Sequence, residues 1–243
     1  MPFLALDVGN SSVKGAVWNG GWGALERWTL ADLETWTTRL RGVSGLEAIG
    51  LASVVPSQTG RLVEAAEHVG VTVSIVSSGC PLPFRMDYET PDTLGADRLA
   101  AAVAAHALAG DRAVVALDAG TAITTEVVTA EPAYLGGAIL PGPDLLLRSL
   151  ARGTGQLPQG TWPDIVEPFG SSTIEAIQAG TATLVLEGVT GLVDRTLEVL
   201  GHDAFIIATG GWGTWLADRI SRIDRVEPLL VLEGVRLLTD PTL

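Results

Sequence analysis

Two short segments of this chain repeat one another at nearly half its length. Leu4-Ala5-Leu6-Asp7-Val8-Gly9-Asn10-Ser11-Ser12 runs on into Val13-Lys14-Gly15-Ala16-Val17. Val115-Ala116-Leu117-Asp118-Ala119-Gly120-Thr121-Ala122-Ile123 runs on into Thr124-Thr125-Glu126-Val127-Val128. Each reads as a buried strand, an Asp-x-Gly-[Asn/Thr] turn rich in small hydroxyl residues, and a second apolar strand, which is a hairpin signature. A single Asp-x-Gly is a common structural turn. Two of them in matched strand contexts, 111 residues apart (118 minus 7) in a chain of 243, predict two related domains, divided as 1–112 and 113–243.

The remaining pattern alternates strands and helices, so the expected class is α/β. In the first half, 33–40 and 58–69 read as helices and 48–55 and 72–76 as strands. Residues 81–93 read as an ordered loop punctuated by Pro81, Pro83 and Pro91, followed by an Ala-rich helix over 94–108. In the second half, 136–140 reads as a strand and 144–152 as a helix capped by Asp144. Ser172-Thr173-Ile174-Glu175 carries the capping signal of a long helix that continues past Leu186. A strand over 205–208 leads into Thr209-Gly210-Gly211, and 212–219 reads as helical.

Hydrophobic residues make up 47% of the chain, but they fall in short runs, and none approaches the ~20 strongly apolar residues that span a bilayer. The N-terminal Pro2-Phe3-Leu4-Ala5-Leu6-Asp7 meets an acid at once and reads as a strand, not a signal peptide. The single cysteine, Cys80, cannot form an internal disulfide, which fits a cytoplasmic protein. The net charge of −13 argues against nucleic acid or an anionic membrane surface as partner. His68, His106 and His202 form no ligand-spaced cluster, so no zinc site is expected. The seven tryptophans are scattered and read as packing or interface residues.

Of fifteen basic residues only one, Lys14, is a lysine. A lysine ammonium is a compact point charge that can approach a phosphate where a guanidinium fork would not fit. The turn Asp7, Val8, Gly9, Asn10, Ser11, Ser12, Val13, Lys14 is therefore a candidate phosphate cradle, with Gly9 allowing close backbone approach. It is not a Walker loop, which requires a helix after the turn. In the second turn Thr121 can donate to a phosphate oxygen and Asp118 can hold a cation. Gly210-Gly211 offers a bare surface for a base or ribose, or is an ordinary tight turn. Asp97 and Arg98 open the Ala-rich helix. They could serve as proton acceptor and carboxylate clamp, but spacing alone favours compensation of the helix dipole by Asp97 and a surface role for Arg98.

With these residues in view, the chain resembles the type III pantothenate kinases of the actin-like ATPase and sugar-kinase superfamily. The resemblance rests on DVGNSSVK (7–14), SVVP (53–56), Tyr88 and Pro91 ahead of LGADR (94–98), DAGTAIT (118–124), GGAILPG (136–142), FGSSTIEAIQAG (169–180), TGG (209–211) and EPLLVLEGV (227–235). It implies two duplicated actin-like (ribonuclease H-like) domains with a cleft between them, and ATP-dependent phosphorylation of pantothenate, the first step toward coenzyme A. It implies ATP contacts from Asp7 to Lys14 and from Thr121, and a monovalent cation, potassium or ammonium, on Asp118, with magnesium accompanying ATP. It implies Asp97 as proton acceptor, pantothenate contacts from Tyr88, Gly95, Ala96, Asp97, Arg98 and Thr173, and a homodimer whose substrate site is completed at the subunit interface. The resemblance thus reverses the reading of Asp97 and Arg98 that spacing alone gives. Ser11 stands where Thr is common in the family, Glu126 stands near a common Asp and receives no role, and the turn over 129–133 is short and contains Pro132. Two other readings are a kinase of the same fold for another hydroxylated acid or sugar, and a degenerate nucleotide-binding accessory factor. Retention of Asp97 speaks against the latter.

Overall fold

The computed structural model describes residues 2–201 and 203–243; Met1 and His202 lie outside the described residues. The chain forms two compact units: one holds 1–110, 131–135 and 229–243, and the other 111–130 and 136–228.

The sheet of the first unit is built from β1 (Phe3–Val8), β2 (Val13–Trp18), β3 (Glu26–Trp28), β4 (Ala48–Ser53) and β5 (Thr72–Ile75), in the order β3-β2-β1-β4-β5. All six residues of β1 are buried, as a near-continuous apolar run requires in a central strand covered on both faces. β1 pairs antiparallel with β2 and parallel with β4, and β4 is parallel to β5. Helices α1 (Leu33–Arg41) and α2 (Pro56–Val69) pack on this sheet around Leu4, Leu6, Val8, Trp36, Leu40 and Leu62. The buried amide of Gln58 accepts from Trp36 Nε1 at 3.1 Å, so the indole is satisfied inside the core. The loop 81–93 contains a two-residue strand, β6 (Arg85–Met86), and a 3-10 turn over Pro91–Thr93. It leads into α3 (Ala96–Ala109), whose alanine-rich surface is buried along most of its length.

The second unit contains β7 (Val114–Ala119), β8 (Ala122–Val128), β10 (Ile139–Pro141), β11 (Phe205–Thr209) and β12 (Arg225–Val226), with helices α4 (Pro143–Gly153), α5 (Thr173–Leu200) and α6 (Gly213–Ala217). Its strands run in the order β12-β11-β7-β8, with β7 antiparallel to β8 and parallel to β11, and β11 parallel to β12. This repeats β5-β4-β1-β2 strand for strand. The duplication read from two Asp-x-Gly turns is therefore a duplication of whole sheets. Strand β9 (Ala133–Gly136) pairs parallel with β6, and α7 (Leu230–Thr239) packs on α3 and β1, so the C-terminal helix belongs to the first unit.

Several expectations need correction. The strand expected over 136–140 is two short strands, β9 and β10, separated at Gly137 and Ala138. There Ala138 N donates to Thr125 Oγ1 at 2.9 Å and Ala138 O accepts from Thr125 N at 2.9 Å, and a Cβ at Gly137 would overlap the Thr125 carbonyl. Asp144 does not cap α4. The helix starts at Pro143, whose fixed φ suits the first position, with Gly142 as the capping residue and Asp144 in the first turn. The segment expected to be helical over 212–219 is helical only over Gly213–Ala217. α5, unlike the short runs that the sequence suggested, is long and apolar enough by length and composition to cross a membrane. Its apolar character has a packing reason: Val185, Val189, Val193 and Leu197 line the core of the second unit with Leu117, Ile123 and Ile206.

Candidate active site

Asp7 and Lys14 occupy directly opposed register positions at the ends of β1 and β2. Lys14 Nζ lies 3.5 Å from Asp7 Oδ2. Between β1 and β2 the chain turns through four residues, with Gly9 N donating to Ser12 O at 3.1 Å. Asp7, Val8 and Val13 are buried, while Asn10 and Ser11 are exposed at the tip. The turn therefore has an anchored base, a cation at its side and polar groups at its mouth, an arrangement that can receive an anion.

In the second unit Asp118 is opposed by Thr124, and only Gly120 and Thr121 separate β7 from β8, with Gly120 N donating to Ala122 O at 2.9 Å. The position of Lys14 is thus taken by a neutral residue. Thr121 is exposed at the tip, and its carbonyl accepts from Gly142 N at 3.0 Å. The register also places Thr209 beside Asp118. Gly210 follows with φ +85°, and a Cβ there would collide with Asp118 Oδ1 and with the Ala119 carbonyl. A side chain is excluded from the very place where Asp118 faces the glycine turn.

Asp97 and Arg98 lie in the first turn of α3, both half-buried. Asp97 Oδ1 accepts from Arg98 N at 2.8 Å, which holds the carboxylate against the helix end. Gly95 caps the helix without a side chain, and a Cβ there would meet Asp97 Oδ1 at 2.5 Å. Tyr88 packs edge-on against fully buried Tyr134 at 5.8 Å; Tyr134 stacks on Phe84 at 5.9 Å, and Phe84 meets His106 of α3 at 6.0 Å. This aromatic chain ties Tyr88 to the helix that carries Asp97. Tyr134 and Phe84 escape sequence reasoning because each is a lone aromatic in a loop or short strand. Thr173 is the first residue of α5, exposed, beside a capping box in which Glu175 N donates to Ser172 Oγ at 3.3 Å and Ser172 N donates to Glu175 at 3.1 Å. Glu126 is buried.

Asp7 to Lys14, Tyr88 and Gly95 to Arg98 thus belong to the first unit, and Asp118, Thr121 and Thr173 to the second. Paired turns of this kind on duplicated sheets define an ATPase and sugar-kinase class of actin-like fold. A ROK family glucokinase from Streptomyces griseus, solved with glucose and AMPPNP, shares the fold with a TM-score of 0.58 at 11% identity, over 99% of each chain. So does a Campylobacter jejuni protein assigned to the Baf family of transcriptional activators, with a TM-score of 0.64 at 20% identity, over 99% of this chain and 100% of that one. The sequence profile of type III pantothenate kinase matches residues 3–195. A type III pantothenate kinase of Chlorobaculum parvum is 37% identical over 201 residues, 79% of this chain and 74% of that protein. The one of Chlorobaculum tepidum is 34% identical over 250 residues, 97% and 92%. The chain belongs to the type III pantothenate kinase family, and it is a kinase.

Proposed function

We propose that the chain transfers the γ-phosphoryl group of ATP to the terminal hydroxyl of pantothenate, giving 4'-phosphopantothenate and ADP, in the cytoplasm. The observation that carries this reading is the position of Lys14: the chain's one lysine is held by Asp7 at the side of a turn that can receive phosphate. Phosphoryl transfer asks chiefly for positioning and for charge to be offset. Asp7 to Lys14 would hold the ATP phosphates, with Thr121 a further contact. Asp97 would accept the hydroxyl proton as the substrate oxygen bonds to the γ-phosphorus and the bond to the β-phosphate oxygen breaks. Arg98 would hold the pantothenate carboxylate, with Tyr88, Gly95, Ala96 and Thr173 completing the substrate contacts.

Asp118 would hold a monovalent cation. The missing side chain at Gly210 lets its backbone close on Asp118 Oδ1 and the Ala119 carbonyl, hard oxygen donors that suit potassium. Such an ion, and magnesium with ATP, would supply positive charge that a protein of net charge −13 otherwise lacks. A homodimer that completes the substrate site is part of the same reading.

The test is turnover of pantothenate by the purified protein with ATP, magnesium and potassium, alongside Asp97→Asn. Turnover that needs the monovalent cation and collapses in the variant is expected. ATP binding without turnover on pantothenate would sink the assignment.

A further inference from the structure

Three of the seven tryptophans gather in the second unit around the short helix that follows Gly210-Gly211. Trp212 opens α6, and its amide donates to the Ala119 carbonyl at 2.9 Å, which fixes it one residue beyond Asp118. Its ring lies 5.5 Å from Trp162 and 6.3 Å from Trp215, and Trp162 and Trp215 are 5.3 Å apart. The Arg219 guanidinium lies 4.4 Å from the Trp215 ring centroid and donates to Asp164 O at 2.8 Å, closing the cluster on its outer side. Trp162 and Trp212 are only half-buried, each packing one part of its ring on the core.

Core packing alone does not account for this cluster. The indole N–H groups of Trp162 and Trp215 are buried without a hydrogen-bond partner, a cost that an aliphatic residue in the same place would not carry. What three interlocked indoles provide, and leucines would not, is a rigid aromatic face. That face stands at the end of a bare Gly-Gly turn whose backbone adjoins Asp118.

We propose that Trp212, braced by Trp162, is the stacking face for the adenine base of ATP. The inference rests on the kinase reading above and adds a residue that sets its nucleotide affinity. A flat π-system next to the exposed Gly211 fits a purine base, and base–aromatic stacking is favourable without any base-specific hydrogen bond. The nucleotide preference that follows is for large purines over pyrimidines, with little discrimination between adenine and guanine.

Steady-state kinetics on Trp212→Leu and Trp212→Phe test this, with inorganic triphosphate as a base-free competitor. Leucine keeps apolar packing but removes the π face; KM for ATP should rise about tenfold, with kcat and inhibition by triphosphate nearly unchanged, while phenylalanine should retain most of the wild-type KM. An unchanged KM for ATP in an active Trp212→Leu enzyme overturns the proposal and leaves the kinase reading standing. A parallel loss of triphosphate inhibition would show that the turn itself had been disturbed, and also overturns it. If the wild-type protein fails on pantothenate, ATP titration by calorimetry makes the same comparison. Weaker ATP binding by Trp212→Leu alone then supports stacking while the substrate assignment falls, and absence of ATP binding by the wild type overturns both.

Discussion

Lys14 Nζ sits 3.5 Å from Asp7 Oδ2, and the two residues are register partners across β1 and β2. The pair is mostly shielded, with side-chain exposures of 21% for Lys14 and 10% for Asp7, so the ammonium is held in place at the turn instead of sampling solvent. In the second unit the equivalent partners are Asp118 and Thr124. The register partner of the turn's aspartate is thus a lysine in one hairpin and a threonine in the other.

Lys14→Ala should lower kcat/KM for ATP by about 100-fold, the order expected when a hydrogen bond to a charged group is lost. Lys14→Arg should not restore it, because the guanidinium fork needs more room than an ammonium. Both variants are compared well below their melting temperatures, since Asp7 loses a neighbouring charge in the first. Wild-type ATP kinetics in Lys14→Ala would remove the turn from the phosphate site.

Asp97→Asn should reduce turnover by about 10²–10⁴-fold, the range for loss of a positioned general base. The asparagine carbonyl can still accept from Arg98 N, as Asp97 Oδ1 does at 2.8 Å, so the helix start is preserved. An unchanged melting curve together with the lost rate separates chemistry from folding. A variant with full kcat would show that the substrate proton leaves by another route.

Gly95→Ala is a gentler probe of the same carboxylate. The backbone of Gly95 (φ −57°, ψ 136°) suits any residue, so the substitution brings no dihedral strain. The new methyl would meet Asp97 Oδ1 at 2.5 Å, and the end of a short side chain can swing away. The expected outcome is a folded protein with melting temperature within a few degrees of wild type and kcat reduced about tenfold or more, because misplacing a reacting group by an ångström is costly. Unaltered kcat would mean that the carboxylate position seen here is not the working one.

Glu175 gives a pH prediction. Hydrogen bonds from the side chain and amide of Ser171, and then from Ser172, hold its carboxyl below the ordinary 4.5. A carboxylate with a depressed folded-state pKa stabilises the protein above its unfolded pKa, and that stabilisation is lost as pH falls through the folded value. Wild type should therefore be more stable than Glu175→Gln at neutral pH, with the gap closing below about pH 4.5. Thermal melts across this range check it. The same variant should raise KM for pantothenate, because Thr173 sits inside the capping box that Glu175 completes. A gap that widens on acidification would contradict the assigned role of the carboxylate.

The hairpins, the crossover strands and the capping box of α5 were legible in the sequence because each is written locally, in a two-residue alternation, an apolar run or a Ser-x-x-Glu spacing. Lys14 was legible through composition alone. What was not legible depends on distant residues. The return of α7 to α3 and β1 is fixed by the packing of a helix more than a hundred residues from its partners. The break at Gly137 is set by Thr125 on a neighbouring strand, and the brace behind Tyr88 by three aromatics drawn from a loop, a short strand and a helix. Asp144 misled because an acid at the first turn satisfies the dipole as well as the cap, and Pro143 had already fixed the helix start. The pairing of Asp97 with Arg98 carries no local signature that separates a helix-end charge from a proton acceptor, and the second reading rests on resemblance to a family alone.

Gly210→Ala tests the second turn. Gly210 has φ +85° and Gly70, the C-cap of α2, has φ +74°, so alanine strains the backbone at both, by about 1–2 kcal/mol. The two differ in surroundings. A Cβ at Gly70 would have nothing within 4 Å, whereas at Gly210 it would press on Asp118 Oδ1 and come within 2.5 Å of the Ala119 carbonyl oxygen. Gly70→Ala should therefore cost only the backbone strain and leave catalysis intact. Gly210→Ala should cost more stability and also raise the potassium concentration that gives half-maximal activity, because the methyl fills the space beside the proposed cation ligand. Equal losses of stability and equal potassium dependence in the two variants would remove Asp118 and the Gly210 turn from the cation site.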